Sequence, residues 1–344
     1  MPIAILIGLG AGLASAVLFA SASTGTALGL FVLFLLSPMP LLIAGLGWGW
    51  GSALVAAFSA AAAIVLVGNG RAMMFHMLAI GVPAVVAAWL ALLSRPAAAA
   101  SGLAPERPDQ VLEWYPLERI VGWAVVWASA LTGLALLAIG PDVETLRVAL
   151  TDAFEKMLVV QGAGGGAGGS SAAGRLTDAD KKAFVEIMVI SLPWAIATCW
   201  MAIAMLNVWG AAHVVRLSGR LGRPWPDLSM LVLPRLMPVA FAAAVALTFL
   251  PGMAGLIASG SASAILFAYL LVGLAILHAV TRGLAARPMM LTLIYGALLM
   301  LSPFSSLAVA MIGLAEPVSP LRRRPPSAPP SKGPPSNGPV APRR

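Results

Sequence analysis

Long apolar runs, separated by short polar links, recur along almost the whole chain. A helix that crosses a bilayer needs about 20 mostly apolar residues. The runs therefore predict an all-α protein, a polytopic transmembrane helix bundle, whose membrane domain covers residues 1–315. About eight or nine spans are expected, over residues 3–21, 26–47, 50–68, 72–94, 120–140, 187–213, 231–250, 253–279 and 289–313.

Prolines interrupt two of these runs and leave the span count open. Ser37-Pro38-Met39-Pro40 lies in the second run, and Ser302-Pro303 lies in the last. Proline removes a backbone donor, which a membrane helix tolerates where neighbours satisfy the freed carbonyl. Either segment is therefore expected to be kinked or broken. The first run follows Met1-Pro2 without a positive charge, which favours a retained helix over a cleaved signal peptide.

Two regions lack the composition of a span. The insert 141–186 begins with apolar residues at helical spacing among charges, which predicts an amphipathic helix on the membrane or on other helices. A glycine-rich linker at 162–174 follows. Thr177 and Asp180 then predict the capped start of a helix that continues into the sixth span. The tail 316–344 is rich in proline and arginine and is expected to be disordered.

Composition supports the bilayer as the solvent of this chain. Hydrophobic residues make up 60% of the sequence and charged residues 10%, whereas a soluble domain has roughly 25% charged residues. The net charge of +8 arises from basic residues in the tail and in short links between apolar runs. This distribution is typical of membrane orientation, so we expect the lipid bilayer as a partner and no nucleic acid.

The basic links leave the orientation of the spans unresolved. The links at 214–230 and 281–288 favour the cytoplasmic side, and the arginine triplet at 322–324 favours a cytoplasmic tail. A chain of nine spans that starts inside ends outside. These features therefore agree only if one span is re-entrant or broken.

The interior of the apolar runs holds no carboxylate. Acidic residues lie outside the runs or at their ends, and Glu186, at the start of the sixth run, comes closest. An ionisable group at mid-bilayer is costly and usually marks function, so its lack weakens a proton- or sodium-coupled pump. Cys199 is the single cysteine, which excludes an internal disulfide and a thiolate metal cluster.

Catalytic motifs are lacking as well. His76, His213 and His278 are far apart in sequence and match no metal-ligand spacing. The glycine-rich linker contains G-x-G-x-x-G, but no strand precedes it, which argues against dinucleotide binding. The sequence thus predicts no catalytic residue, no metal and no cofactor.

A few polar residues lie within or near the later spans. If the two basic links face one side, these residues lie towards that side and could line one polar pocket for an anionic ligand or partner. The alternative is that the arginines reach lipid headgroups while the asparagine bonds to a neighbouring helix. The residues are Asn207, His213, Arg235, His278 and Arg282, and Trp194 is a further candidate for ligand binding.

The first span carries a stripe of small residues, Gly8, Gly12, Ala16 and Ala20, each four positions apart. Small residues at this spacing let helix backbones approach closely. The stripe is therefore expected to be a packing face. The pattern does not decide whether this face packs against a helix of this chain or against another membrane subunit.

Three later segments carry a family resemblance. They are ISLPWAIATCWMAIAMLNVWGAAHVV, the basic link RLSGRLGRPWPDLSMLVLP and LVGLAILHAVTRGLA. With these motifs the chain resembles the YybS-like family of predicted bacterial multi-pass membrane proteins over residues 5–312. The resemblance implies residence in the bacterial inner membrane and brings no established activity or catalytic residue.

The first helices of that family resemble the substrate-binding subunits of energy-coupling-factor transporters. Those subunits dock to a transmembrane partner through small residues on the first helix, a role that Gly8, Gly12, Ala16 and Ala20 would match. They typically have six spans, fewer than this chain is expected to have. The analogy therefore extends to the fold only.

Two functions are compatible with these features. The first is a ligand-binding or transport-associated membrane protein, with a cavity between helices lined by Trp194, Trp200, Asn207 or Arg235. The second is a non-transport membrane scaffold or assembly factor without a cavity, which recruits partners through the insert 141–186 and the basic tail.

Overall fold

The computed structural model describes residues 2–21, 32–96, 112–164 and 177–316, with side chains of the third range described to residue 159. Helices account for nearly all of the described chain. They are α1 (Pro2–Ala20), α2 (Met39–Trp48), α3 (Trp50–Val67), α4 (Gly70–Leu92), α5 (Leu117–Ile139), α6 (Val143–Gly164), α7 (Asp178–Leu217), α8 (Met237–Leu247), α9 (Met253–Val280), α10 (Arg287–Met300) and α11 (Phe304–Ala315). Two short strands, β1 (Ser94–Pro96) and β2 (Leu112–Trp114), pair antiparallel between α4 and α5.

Six of the helices, α1, α3, α4, α5, α7 and α9, are long and apolar enough to cross a membrane. Large apolar side chains cover their outer surfaces, and Leu6, Phe58, Leu66 and Val126 are all exposed. An apolar surface of this extent is unfavourable in water but suits a hydrocarbon environment. The chain is therefore a membrane protein, and the predicted all-α helix bundle is confirmed.

The remaining apolar helices, α2, α8, α10 and α11, are shorter than a full span. The described part of the run 26–47 starts at Val32, and a turn at residues 36–38 interrupts it before α2 begins. The last run is split at Ser302-Pro303 into α10 and α11. Both proline segments are thus broken, as expected, and the number of complete spans stays a prediction.

The helices pack around two apolar cores that share α7. The first core joins α2, α3 and α4 to the C-terminal part of α7, and α1 packs against it. The second core joins α5, α8, α9 and α11 to the middle of α7. Glycines allow the closest approach, because Gly273 of α9 lies against Val309 and Gly313 of α11 lies against the Tyr269 backbone.

The amphipathic helix predicted in the insert is α6, and it packs on the start of α7. Its buried face of Leu146, Leu150 and Phe154 contacts apolar residues of α5, α7 and α9. Arg147 on the same helix donates from Nε to Glu186 Oε1 over 2.7 Å. The acid nearest to the sixth apolar run is therefore paired with an arginine from outside it.

The predicted helix start at Thr177 is confirmed. The Thr177 hydroxyl accepts from the Asp180 N–H, and the Asp180 carboxylate accepts from the Thr177 N–H. From this cap α7 runs for 40 residues, which corresponds to about 60 Å and is roughly twice the hydrocarbon thickness of a bilayer. The helix is therefore longer than a single span requires, and we call its N-terminal part together with α6 the arm. Residues 165–174 of the predicted glycine-rich linker and the tail after Glu316 lie outside the described residues.

One end of the bundle carries most of the arginines that lie in the described part of the chain. There the Arg223 side chain donates hydrogen bonds to the Ala91 carbonyl, at 3.4 Å, and to the Tyr115 carbonyl, at 3.1 Å. These bonds connect the ends of α4 and α7 to the start of α5. Arg282, after α9, forms a two-bond ion pair with Asp227, after α7. Hydrogen bonds from Arg282 and from a nearby serine hold the pKa of the Asp227 carboxyl well below its usual range. We call this end of the bundle the basic end.

Candidate functional site

A groove of about 730 Å³ lies between α4, α5, α7 and the segment before α2. Its described lining holds no charged side chain and includes four tryptophans, Trp89, Trp123, Trp127 and Trp200. Trp89 and Trp123 are about half exposed and form its rim, so the groove opens sideways from the bundle. We call it the tryptophan groove.

An irregular turn of α4 forms one wall of the tryptophan groove. At this turn the Val82 N–H donates to the Met77 carbonyl, five residues back, which is the spacing of a π-helix. Pro83 has no N–H to donate. Consequently the carbonyls of Leu78 and Ala79 both lose a helical donor, which leaves two acceptors in an apolar environment.

Two tryptophans from neighbouring helices satisfy these carbonyls. Trp127 of α5 donates its indole N–H to the Leu78 carbonyl over 2.9 Å, and Trp200 of α7 donates to the Ala79 carbonyl over 2.8 Å. A buried indole N–H needs such a partner. The bonds fix the orientation of both rings, so the walls of the groove are formed before any ligand binds. π-helical turns of this kind are frequent at functional sites.

The opposite wall is the broken segment 32–38. Here the Met39 N–H donates to the Leu36 carbonyl rather than to that of Leu35. Asn207 of α7 replaces the missing donor, with its Nδ2 at 2.7 Å from the Leu35 carbonyl oxygen. The buried asparagine therefore holds the wall in place.

A second polar contact holds the same wall from the other side. The Ser15 hydroxyl of α1 donates to the Ser37 carbonyl over 2.8 Å and lies 3.0 Å from His76 Nε2 of α4. The Phe19 ring packs edge-on against the His76 ring. His76 is buried, and within the described chain its Nδ1 has no hydrogen-bond partner.

The residues predicted from the sequence to bind a ligand lie in different environments. Asn207 bonds to a neighbouring segment, as the alternative interpretation expected. Arg235 is exposed and, among the described residues, makes no side-chain hydrogen bond or ion pair. His278 Nε2 lies 2.9 Å from the Tyr295 hydroxyl, and Trp194 is exposed outside the groove. No contact within the described chain joins them into one pocket, and their roles in ligand binding stay predictions.

The remaining two polar residues also have their own partners. His213 stacks on Trp209 at a ring distance of 5.6 Å and meets the edge of Trp225, while Arg282 forms the ion pair at the basic end. Of the four residues expected to line a cavity, Trp200 does line one.

Trp89, Trp123 and Trp127 also line the groove but were not among the residues predicted from the sequence. A signal was present, since Trp123 and Trp127 are four positions apart on one helix face and Pro83 lies inside an apolar run. Without knowledge of which helices are neighbours, however, neither feature indicates a groove.

The small-residue stripe of α1 packs inside the chain. Gly8, Gly12 and Ala16 are buried, and the two glycines lie against the backbone of α3. Ala20 is exposed. Docking of another subunit through the first helix stays a prediction, and the exposed face that includes Leu6 and Leu13 would be available for it.

Comparisons of the chain with protein-family models, curated proteins and solved structures found no match. The resemblance to the YybS-like family therefore stays a prediction.

Proposed function

We propose that the chain is a ligand-binding protein of the bacterial inner membrane that holds the hydrocarbon chain of a lipid in the tryptophan groove. The observation that carries this proposal is an apolar groove that opens sideways from the helix bundle. Its volume of about 730 Å³ lies in the range of small-molecule sites, about 300–1,000 Å³.

The length of the groove matches a lipid chain better than a compact ligand. Its lining on α5 extends from Ile120 to Ala138, which corresponds to about 27 Å along the helix axis. The hydrocarbon core of a bilayer is about 30 Å thick. A chain in this groove would therefore lie parallel to the surrounding lipids.

Affinity must come from shape, because an apolar chain gains no hydrophobic free energy by leaving lipid for protein. Packing against flat, immobile rings is favourable when the protein loses little conformational entropy on binding. The hydrogen bonds of Trp127 and Trp200 to α4 provide that preorganisation.

Quenching of tryptophan fluorescence tests the proposal. A phospholipid with brominated chains is titrated into the full chain in detergent, and we expect saturable quenching. Ala135→Phe and Ala204→Phe add rings to the groove wall and should remove the saturable component. Ala130→Phe, on an exposed face of the same helix α5 outside the lining, is the matched control. Equal quenching in all four proteins would refute a ligand site in the groove.

The arm of α6 and α7 favours the second function, a scaffold that recruits partners beyond the membrane. The outer face of α6 exposes Asp152 and Lys156, and neither residue lines the cleft between α6 and α7. Asp152→Lys with Lys156→Glu, which exchanges the two charges of this face, should abolish binding of a partner without changing lipid quenching. A partner that binds both forms equally would exclude this face.

A further inference from the structure

We propose that the occupant of the tryptophan groove is a phospholipid with an anionic headgroup, whose phosphate binds between Arg119 and Arg223 at the basic end. This inference rests on the proposed function and adds the headgroup class of the ligand.

Arg119 is next to the groove lining in the chain, and Arg223 is hydrogen-bonded to a residue next to the lining. Leu90 of α4 and Ile120 of α5 line the groove at the basic end. Arg119 precedes Ile120 in the chain, and Arg223 donates to the carbonyl of Ala91, the residue after Leu90. A lipid whose chain lies along the lining would thus bring its headgroup to these two guanidinium groups.

The two guanidinium groups retain capacity for an anion. Arg223 uses one N–H for Ala91 and one for Tyr115, out of five that a guanidinium carries. Arg119 lies over the Tyr115 ring at 5.8 Å. Neither forms a salt bridge among the described residues, whereas Arg95 and Arg282 at the same end are each paired with a carboxylate.

Burial makes Arg223 the stronger of the two anchors. It is only half-exposed, and burial lowers the pKa of its guanidinium although Glu118 is near enough to oppose the effect. A partly desolvated cation gains more from an arriving anion than a fully hydrated one does. Arginine also matches phosphate geometry through two parallel N–H bonds.

Other occupants of the tryptophan groove would behave differently from an anionic phospholipid. A partner helix in the groove would bind irrespective of the lipid headgroup, and loose attraction of lipid to basic residues would not depend on these two arginines. Free phosphate shares the headgroup chemistry but lacks the chain. The experiment therefore compares headgroups with chains kept constant.

The probe is a pair of phospholipids with identical brominated chains, a phosphatidylglycerol and a phosphatidylcholine, titrated into the full chain in neutral detergent. We expect the saturable tryptophan quenching to reach its midpoint at a phosphatidylglycerol concentration lower by on the order of tenfold. Arg223→Gln and Arg119→Gln should each reduce this preference by raising the phosphatidylglycerol midpoint more than the phosphatidylcholine midpoint, because the choline cation offsets the phosphate charge of phosphatidylcholine. Arg287→Gln, which removes a charge from α10 at the basic end, is the control and should keep the preference.

The outcomes separate the two proposals. Saturable quenching that Ala135→Phe removes but that is equal for both lipids would overturn the headgroup site and leave the groove assignment intact. Quenching that Ala135→Phe does not change would overturn both. Displacement of phosphatidylglycerol by inorganic phosphate at equal concentration would assign the site to free phosphate and overturn the lipid. Arg119 is exposed, so Arg119→Gln keeps the test decisive if Arg223→Gln fails to fold.

Discussion

Adding one methyl group to Gly12 tests the packing of α1 against α3. A Cβ at this position would overlap the Ala56 carbonyl oxygen and would lie 2.7 Å from Ser59 Cβ and 2.9 Å from the Ala60 nitrogen. Two of these atoms belong to helix backbone, so the strain cannot be relieved by rotating a side chain. The helices must move apart.

The expected cost follows from these contacts. Overpacking of a tight interface costs about 1–3 kcal/mol, and separation would also weaken the bond from the Ser59 hydroxyl to the Leu9 carbonyl, now 3.1 Å, by about 0.6 kcal/mol. The better helix propensity of alanine returns up to about 1 kcal/mol. We therefore expect Gly12→Ala to lose about 2 kcal/mol of unfolding free energy.

Gly10 provides the matched control on the same helix. A Cβ there meets no atom within 4 Å, so Gly10→Ala should be neutral or slightly stabilising. The measurement is unfolding of both variants in a mild detergent, followed by helical circular dichroism. If Gly12→Ala unfolds like Gly10→Ala, the stripe does not pack against α3, and a separate subunit becomes its better partner.

Three further predictions concern polar contacts. Asn207→Leu leaves the Leu35 carbonyl without its donor and should cost about 1–2 kcal/mol in detergent unfolding; no loss would mean that the wall holds without it. Trp200→Phe keeps an aromatic ring but removes the hydrogen bond to α4. It should raise the lipid concentration at the quenching midpoint and change the free energy of unfolding little. An unchanged midpoint would contradict preorganisation. Because Arg282 lowers the folded-state pKa of Asp227, the pair stabilises the fold above the unfolded pKa of about 4 and loses this effect as pH falls through the folded pKa. Asp227→Asn should therefore reduce the pH dependence of the unfolding free energy in the acid range. An unchanged pH dependence would exclude the ion pair as its cause.

The helices and their breaks were accessible from the sequence because they depend on local pattern. Apolar runs of span length predicted the six long helices, and the prolines at 38 and 303 predicted the two interruptions. The amphipathic spacing after residue 141 predicted α6 together with its buried face. Each of these features is decided within about 20 neighbouring residues, by propensity and by the need to bury apolar groups.

The groove was not accessible because it depends on contacts between distant parts of the chain. Trp200 and Ala79 are 121 positions apart, and Asn207 and Leu35 are 172 apart. In the sequence, charge was the main indication of a site, since a charged group inside a membrane usually marks function. Charge pointed to Arg235, which is exposed, and gives no indication of a groove whose lining is apolar.

One face of α7 positions both walls of the tryptophan groove. Trp200 and Asn207 are seven positions apart, or about two helical turns, so they lie on the same side of the helix. Trp200 holds the π-helical turn of α4 and Asn207 holds the broken segment before α2. The same helix continues into the arm, where Glu186 is paired with Arg147 of α6. A partner that moved α7 would shift both walls together and change the affinity of the groove for the proposed lipid. By linkage, the bound lipid would change the affinity for that partner by the same factor. The two proposed functions, lipid binding and scaffolding, are therefore compatible, and measurement of either affinity with and without the other ligand would show whether they are coupled.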